Sequence, residues 1–241
     1  MMTTDNKPRL LLVHGAWVGP WEFDPLVAVL RERGWPVDAV ALPSVGSTGS
    51  IAEDAAAITA AIEASPEPVV LVGHSYGGIP VTEAGAHDNV ERIIYVTAFA
   101  LDAGESAAGS MGGELPEWWG ISDGMVTMGR DRAERVAMIA ADLPPEAAAA
   151  GVADQLADLF QPQSLHTLTE PVTHVAWREK PSTFILTERD GVLPPEFQEA
   201  LAARVTTDIV RIPHGHAPFQ EDPAGFADLL VRICIAETVA N

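Results

Sequence analysis

Pro68-Val69-Val70-Leu71-Val72-Gly73-His74-Ser75-Tyr76-Gly77 decides the fold of this chain. An apolar run leads straight into Gly-x-Ser-x-Gly, and a helix-permissive stretch follows. An apolar run of this length reads as a strand buried on both faces. A serine between such a strand and a helix sits on a sharp turn with positive φ, its hydroxyl pointing off the strand end. The flanking glycines let neighbouring backbone pass close to it. The motif is short and says little alone. Its weight comes from what surrounds it, and in which order.

Upstream, Arg9-Leu10-Leu11-Leu12-Val13 reads as a second buried strand, running into His14-Gly15-Ala16-Trp17. Acyl transfer through a serine needs two N–H donors aimed at the developing oxyanion. The backbone N–H of Tyr76, next after the serine, is one candidate, and that of Ala16, on the loop after the earlier strand, is the other. His14 itself reads as structural. Downstream, the strand-like Ser182-Thr183-Phe184-Ile185-Leu186-Thr187 leads to Asp190, and Ile212-Pro213-His214-Gly215 leads to His216. The candidate catalytic residues Ser75, Asp190 and His216 thus occur in an order distinct from that of chymotrypsin and of subtilisin. One helix (197–204) and one strand (207–211) fit between acid and histidine. Asp102, after a strand read at 92–97, is the rival acid. His214 and His216 form an H-x-H pair, but no partners stand at ligand spacing, so no metal is expected.

The remaining pattern alternates. Strands are expected at 9–13, 36–42, 68–72, 92–97, 182–187 and 207–211. Helices are expected at 21–33, at 77–87, after a Ser50/Glu53 capping box, and after Asp222-Pro223. This predicts an α/β fold with a doubly wound, mostly parallel sheet. From Leu101 to about Lys180 the alternation stops, which predicts a mainly helical cap inserted into one domain spanning 1–241. Val136 with Ile139, and Val152, Leu156, Leu159 with Phe160, mark its helices. Trp17, Trp118, Trp119 and Met125 are the candidate substrate-binding residues, with Met111 and Met128 as further lining.

With these residues in view, the chain resembles the α/β-hydrolase superfamily. Within it, the chain is similar to the group of plant methylesterases, hydroxynitrile lyases and bacterial pyrethroid-type esterases. The matching residues are Val13-His14-Gly15-Ala16-Trp17 with Gly19 and Trp21, Gly73 through Gly78, Asp190-Gly191-Val192-Leu193-Pro194 with Gln198, and Gly215-His216 with Asp222-Pro223. Glu170-Pro171-Val172-Thr173, Trp177-Arg178 and Pro181-Ser182-Thr183 look like bacterial members. The resemblance covers nearly the whole chain and is sparsest at about 105–165. It implies a serine esterase with no cofactor, acting on a small-molecule ester. A lyase on the same triad and a slow-turnover ligand receptor are the alternatives. The lyases of this group carry a threonine where Gly15 stands and a lysine where Ala217 stands, so ester cleavage is the expectation.

Composition sets bounds. The chain has 241 residues, 47% hydrophobic, which suffices for a full core. The net charge of −20 argues against nucleic acid or an anionic membrane as partner. There is no apolar run long enough to span a bilayer, no leader-like N-terminus and one cysteine, Cys234. A cytoplasmic location is therefore expected. A homodimer is left open.

Overall fold

The computed structural model describes residues 7–236. The first six residues, read above for leader character, lie outside them. Six parallel strands form the main sheet: β1 (Arg9–Val13), β2 (Val37–Val40), β3 (Val69–His74), β4 (Val90–Val96), β8 (Ser182–Thr187) and β9 (Ile209–Ile212), in the order β2-β1-β3-β4-β8-β9. The chain builds outward from β1 to β2, then crosses back to β3 on the other side. The direction reverses between β1 and β3, which is where open α/β sheets place ligands at the carboxyl ends of their strands.

Strand alternation sorts the apolar residues onto two faces. Leu10, Leu12, Val70, Val72, Ile94, Val96 and Ile185 pack beneath helices Asp24–Glu32 and Pro223–Ala236. Leu11, Val13, Leu71, Ile93, Tyr95, Phe184 and Leu186 face helices Ile51–Glu63, Gly78–Ala84 and Pro195–Val205. Truncating one of the fully buried leucines to alanine should cost about 2–5 kcal/mol. Helix Ile51–Glu63 starts at the capping box: Ser50 Oγ accepts from Glu53 N, and Glu53 accepts from Ser50 N at 2.9 Å. The expected helix at 77–87 is shorter, because Gly85 caps it after Ala84. Cys234 is half-buried on the last helix, and burial pushes its thiol up to about 12. It is therefore no nucleophile near neutrality. No helix among the described residues is long and apolar enough to cross a membrane.

The insertion between β4 and β8 is present and, as expected, mainly helical, with one small sheet that the sequence reading did not include. A small antiparallel sheet joins β5 (Trp119–Ser122), β6 (Met125–Met128) and β7 (Gln163–Ser164). Asp123 (φ 50°) and Gly124 (φ 75°) make the turn between β5 and β6. Asp-Gly is a strong hairpin signal, because both residues tolerate positive φ. Helix Arg132–Asp142 and shorter helical pieces complete the insertion. The helix read around Val152 ends at Ala157, before Leu159 and Phe160.

Candidate active site

Registry between β1 and β3 assembles the site. Val13 pairs with Gly73, so the chain beyond each strand emerges side by side. A Cβ on Gly15 would lie 3.2 Å from the Ser75 Cβ and from the His74 ring. A Cβ on Gly77 would come within 2.6 Å of the His14 carbonyl oxygen and closer still to that of Val13. Only glycine lets these segments approach so closely. Ser75 has φ 52°, and Trp17 (66°), in the turn beyond β1, and Thr97 (37°), directly after β4, share this sparsely populated conformation. Such strain persists only where the surroundings over-determine it. Ser75 is 8% exposed and lines a cavity together with His216, Gly15, Ala16 and Trp17. It also borders a smaller apolar cavity, lined by Tyr76, Phe99, Met111, Trp118 and Trp119.

His216 and Asp190 meet. His216 Nδ1 lies 2.8 Å from Asp190 Oδ2. Asp190 has no exposed side-chain surface. Its Oδ2 also accepts from Thr97 Oγ1, Thr187 Oγ1 (3.0 Å) and Gln198 Nε2 (3.2 Å), and its Oδ1 accepts from the Val192 and Leu193 N–H groups at 2.8 Å each. Burial opposes ionisation of Asp190. The His216 charge and these hydrogen bonds outweigh it and hold the carboxyl well below the usual carboxylate range. Burial likewise works against a charged His216. The Asp190 carboxylate, its hydrogen bond and the charges of Asp142 and Glu22 prevail, so the imidazole pKa is raised. Asp102 is elsewhere: it pairs with Arg178 at 2.7 Å, partly exposed to solvent.

Buried polar contacts fix the two loops beside Ser75. His14 Nε2 accepts from Leu42 N at 3.1 Å, so Nδ1 carries the proton donated to the Gly15 carbonyl at 2.9 Å. Both ring nitrogens are thereby used in holding the turn. Glu22 Oε1 accepts from Gly15 N at 3.1 Å and lies 3.2 Å from His74 Nδ1. His74 Nε2 in turn donates to the His216 carbonyl at 2.9 Å. On the other side, Tyr76 donates from its hydroxyl to Asp54 at 2.6 Å, and Ser44 donates to the same oxygen at 2.6 Å.

Sequence reasoning missed Thr97, Thr187, Glu22, Asp54 and Asp142. Asp54 sits in the first turn after the capping box, where an acid reads as helix-dipole chemistry and not as a buried partner. Thr97 and Thr187 follow apolar runs and read as strand ends. Trp17, Trp118 and Trp119 form an edge-to-face cluster with centroids 5.7–6.3 Å apart. Met125 lines neither cavity; alternation on β6 buries Val126 and Met128 instead, and Met128 lines the larger one.

The pattern of the alpha/beta hydrolase family matches residues 10–229. An alpha/beta hydrolase, nvfD, of Aspergillus novofumigatus is 32% identical, over 94% of this chain and 95% of its own length. Among solved structures, the pyrethroid hydrolase PytH superposes with a TM-score of 0.79 at 22% identity, covering 96% of this chain and 99% of that one. Polyneuridine aldehyde esterase does so with a TM-score of 0.77 at 18% identity, covering 95% and 99%. At these identities the two structures speak for the fold.

Proposed function

The chain belongs to the alpha/beta hydrolase family, and from that premise we propose that it is a serine esterase cleaving carboxylic esters of small apolar or aromatic substrates. One observation carries the reading: His216 is bonded to a buried carboxylate at 2.8 Å while His216 and Ser75 line one cavity. A serine hydroxyl is a weak nucleophile near neutrality. His216 takes its proton as general base as Ser75 attacks the ester carbonyl, then returns it to the leaving alcohol. Asp190 accepts from Nδ1, which keeps Nε2 free to be that base, and it stabilises the imidazolium that forms. The N–H groups of Ala16 and Tyr76 bind the oxyanion. Their loops are held by Glu22 through Gly15 and by Asp54 through the Tyr76 hydroxyl. Water activated by His216 then releases the acyl group.

The smaller cavity, walled by Phe99, Met111, Trp118 and Trp119, suits an apolar or aromatic acyl group. Relatives named as esterases support ester substrates. No lysine or arginine lines the larger cavity among the described residues. Cyanohydrin cleavage thus lacks a cation for the departing cyanide, and a threonine at Gly15 would crowd His74 and Ser75. The test is a panel of p-nitrophenyl esters of increasing acyl length, with aromatic methyl esters and mandelonitrile. Ester turnover with negligible cyanide release is expected. Efficient cyanide release with little ester turnover would overturn the reading.

A further inference from the structure

Asp142 is the last residue of helix Arg132–Asp142, within the insertion. Its Oδ1 accepts from the Gly191 N–H at 3.1 Å, and its Oδ2 accepts from the His216 N–H at 2.8 Å. Gly191 directly follows Asp190. One carboxylate therefore ties the insertion to both loops that carry the acid and the base. Among the described residues, no other side chain of the insertion hydrogen-bonds to either loop.

Two features mark this contact as built. An acid at a helix C-terminus opposes the helix dipole, which favours cations there, and the last turn holds no basic residue. A local rule broken in this way points to a functional demand. The approach is also close. A Cβ at Gly215 would stand 2.8 Å from the Asp142 carbonyl oxygen and 3.1 Å from its Oδ2. Asp142 lines the cavity shared by Ser75 and His216.

We propose that Asp142 is a positioning residue, coupling the seating of the insertion to the geometry of Asp190 and His216. The proposal rests on the esterase reading above. The carboxylate fixes the backbone on both sides of the Asp190–His216 bond, so the imidazole is aimed only when the insertion is in place. Substrate entering beneath the insertion then meets an assembled site. The charged and titratable groups around His216 are Asp190 on its own loop's neighbour, Glu22 after β1, His74 at the end of β3, and Glu221, which accepts from Gly215 N and pairs with Arg189. Asp142 adds a carboxylate that favours the imidazolium.

The experiment compares D142A, D142N and the control D154N in the intact protein, using p-nitrophenyl butyrate. Asp154 sits in the same insertion, in an exposed ion pair with Arg132. D142A should lower kcat about ten- to a hundredfold with little change in KM, the size expected of a misplaced catalytic group. D142N keeps the shape and one acceptor, so it should lose less, and it keeps the test decisive if D142A does not fold. In both, the acid limb of the kcat/KM profile should move to lower pH. D154N should match wild type in both. Two results would overturn the proposal: D142A and D142N within about twofold of wild type with an unmoved acid limb, or D154N reproducing their loss. Either leaves the esterase reading standing, provided Ser75→Ala is inactive. Turnover that survives Ser75→Ala would instead remove the reading beneath it.

Discussion

Asp190→Asn changes one atom and should nearly silence the protein. Asp190 accepts six hydrogen bonds, four at Oδ2 and two at Oδ1. Asparagine must place its NH₂ at one of these sites. At the Oδ1 site it opposes the Val192 and Leu193 N–H groups, neither of which can turn away. At the Oδ2 site it opposes Gln198 Nε2 and the His216 Nδ1–H. There the imidazole can respond by moving its proton to Nε2, where it can no longer accept one from Ser75. A wrong tautomer of this kind costs about 10³- to 10⁴-fold in kcat, or about 4–5.5 kcal/mol of transition-state stabilisation. A buried donor left facing a donor should also cost about 1–3 kcal/mol of stability. The assay is kcat on p-nitrophenyl butyrate, with thermal unfolding as the folding check. Asp102→Asn is the contrast: it breaks a partly exposed pair worth about 0–1 kcal/mol and should leave kcat close to wild type. If Asp190→Asn kept most of its activity while Asp102→Asn lost it, the acid would belong to the loop after β4.

Further expectations concern pH and the tryptophans. The base must be neutral to act, and the His216 pKa is raised, so the acid limb of kcat/KM should lie above the ordinary histidine value of about 6.5 and move down in Asp190→Asn. An acid limb below that value in wild type would contradict the pairing. For stability, the depressed Asp190 pKa contributes above about pH 4 and is lost as pH falls. The raised His216 pKa contributes fully below about pH 6.5 and is lost as pH rises through it. The Tm gap between wild type and Asp190→Asn should therefore be widest between these limits and narrow above them. Trp119 is 6% exposed, so Trp119→Ala should destabilise by about 3–5 kcal/mol as well as enlarge the acyl cavity. Trp118 is only half-buried, so Trp118→Ala should shift acyl-length preference with less effect on Tm. Unchanged selectivity in both variants would mean that the cavity is not the acyl site.

The sheet was legible because parallel strands buried on both faces announce themselves as apolar runs. Leu10 through Val13 and Val69 through Val72 needed no periodicity. Strand ends were less legible: β3 continues through Gly73 and His74, which the apolar run does not include. Ser75, Asp190 and His216 could be picked out as candidates because each follows a strand at its carboxyl end. The groups that hold them were not legible. Asp142 is distant in sequence from both loops it binds and Glu22 from His74, and nothing in their local context separates them from surface acids. The hairpin Asp123-Gly124 was readable, but the strands it joins are four residues each, too short for alternation to stand out.

The central claim is that Ser75 is an activated nucleophile. A fluorophosphonate probe followed by mass spectrometry of the intact and digested protein tests it most directly. Wild type should take up one phosphonyl group, located on Ser75, and lose ester hydrolysis in step with labelling. Ser75→Ala should take up none, hydrolyse nothing, and unfold at a Tm close to wild type. An adduct on another residue, or hydrolysis that persists in Ser75→Ala, would contradict the account.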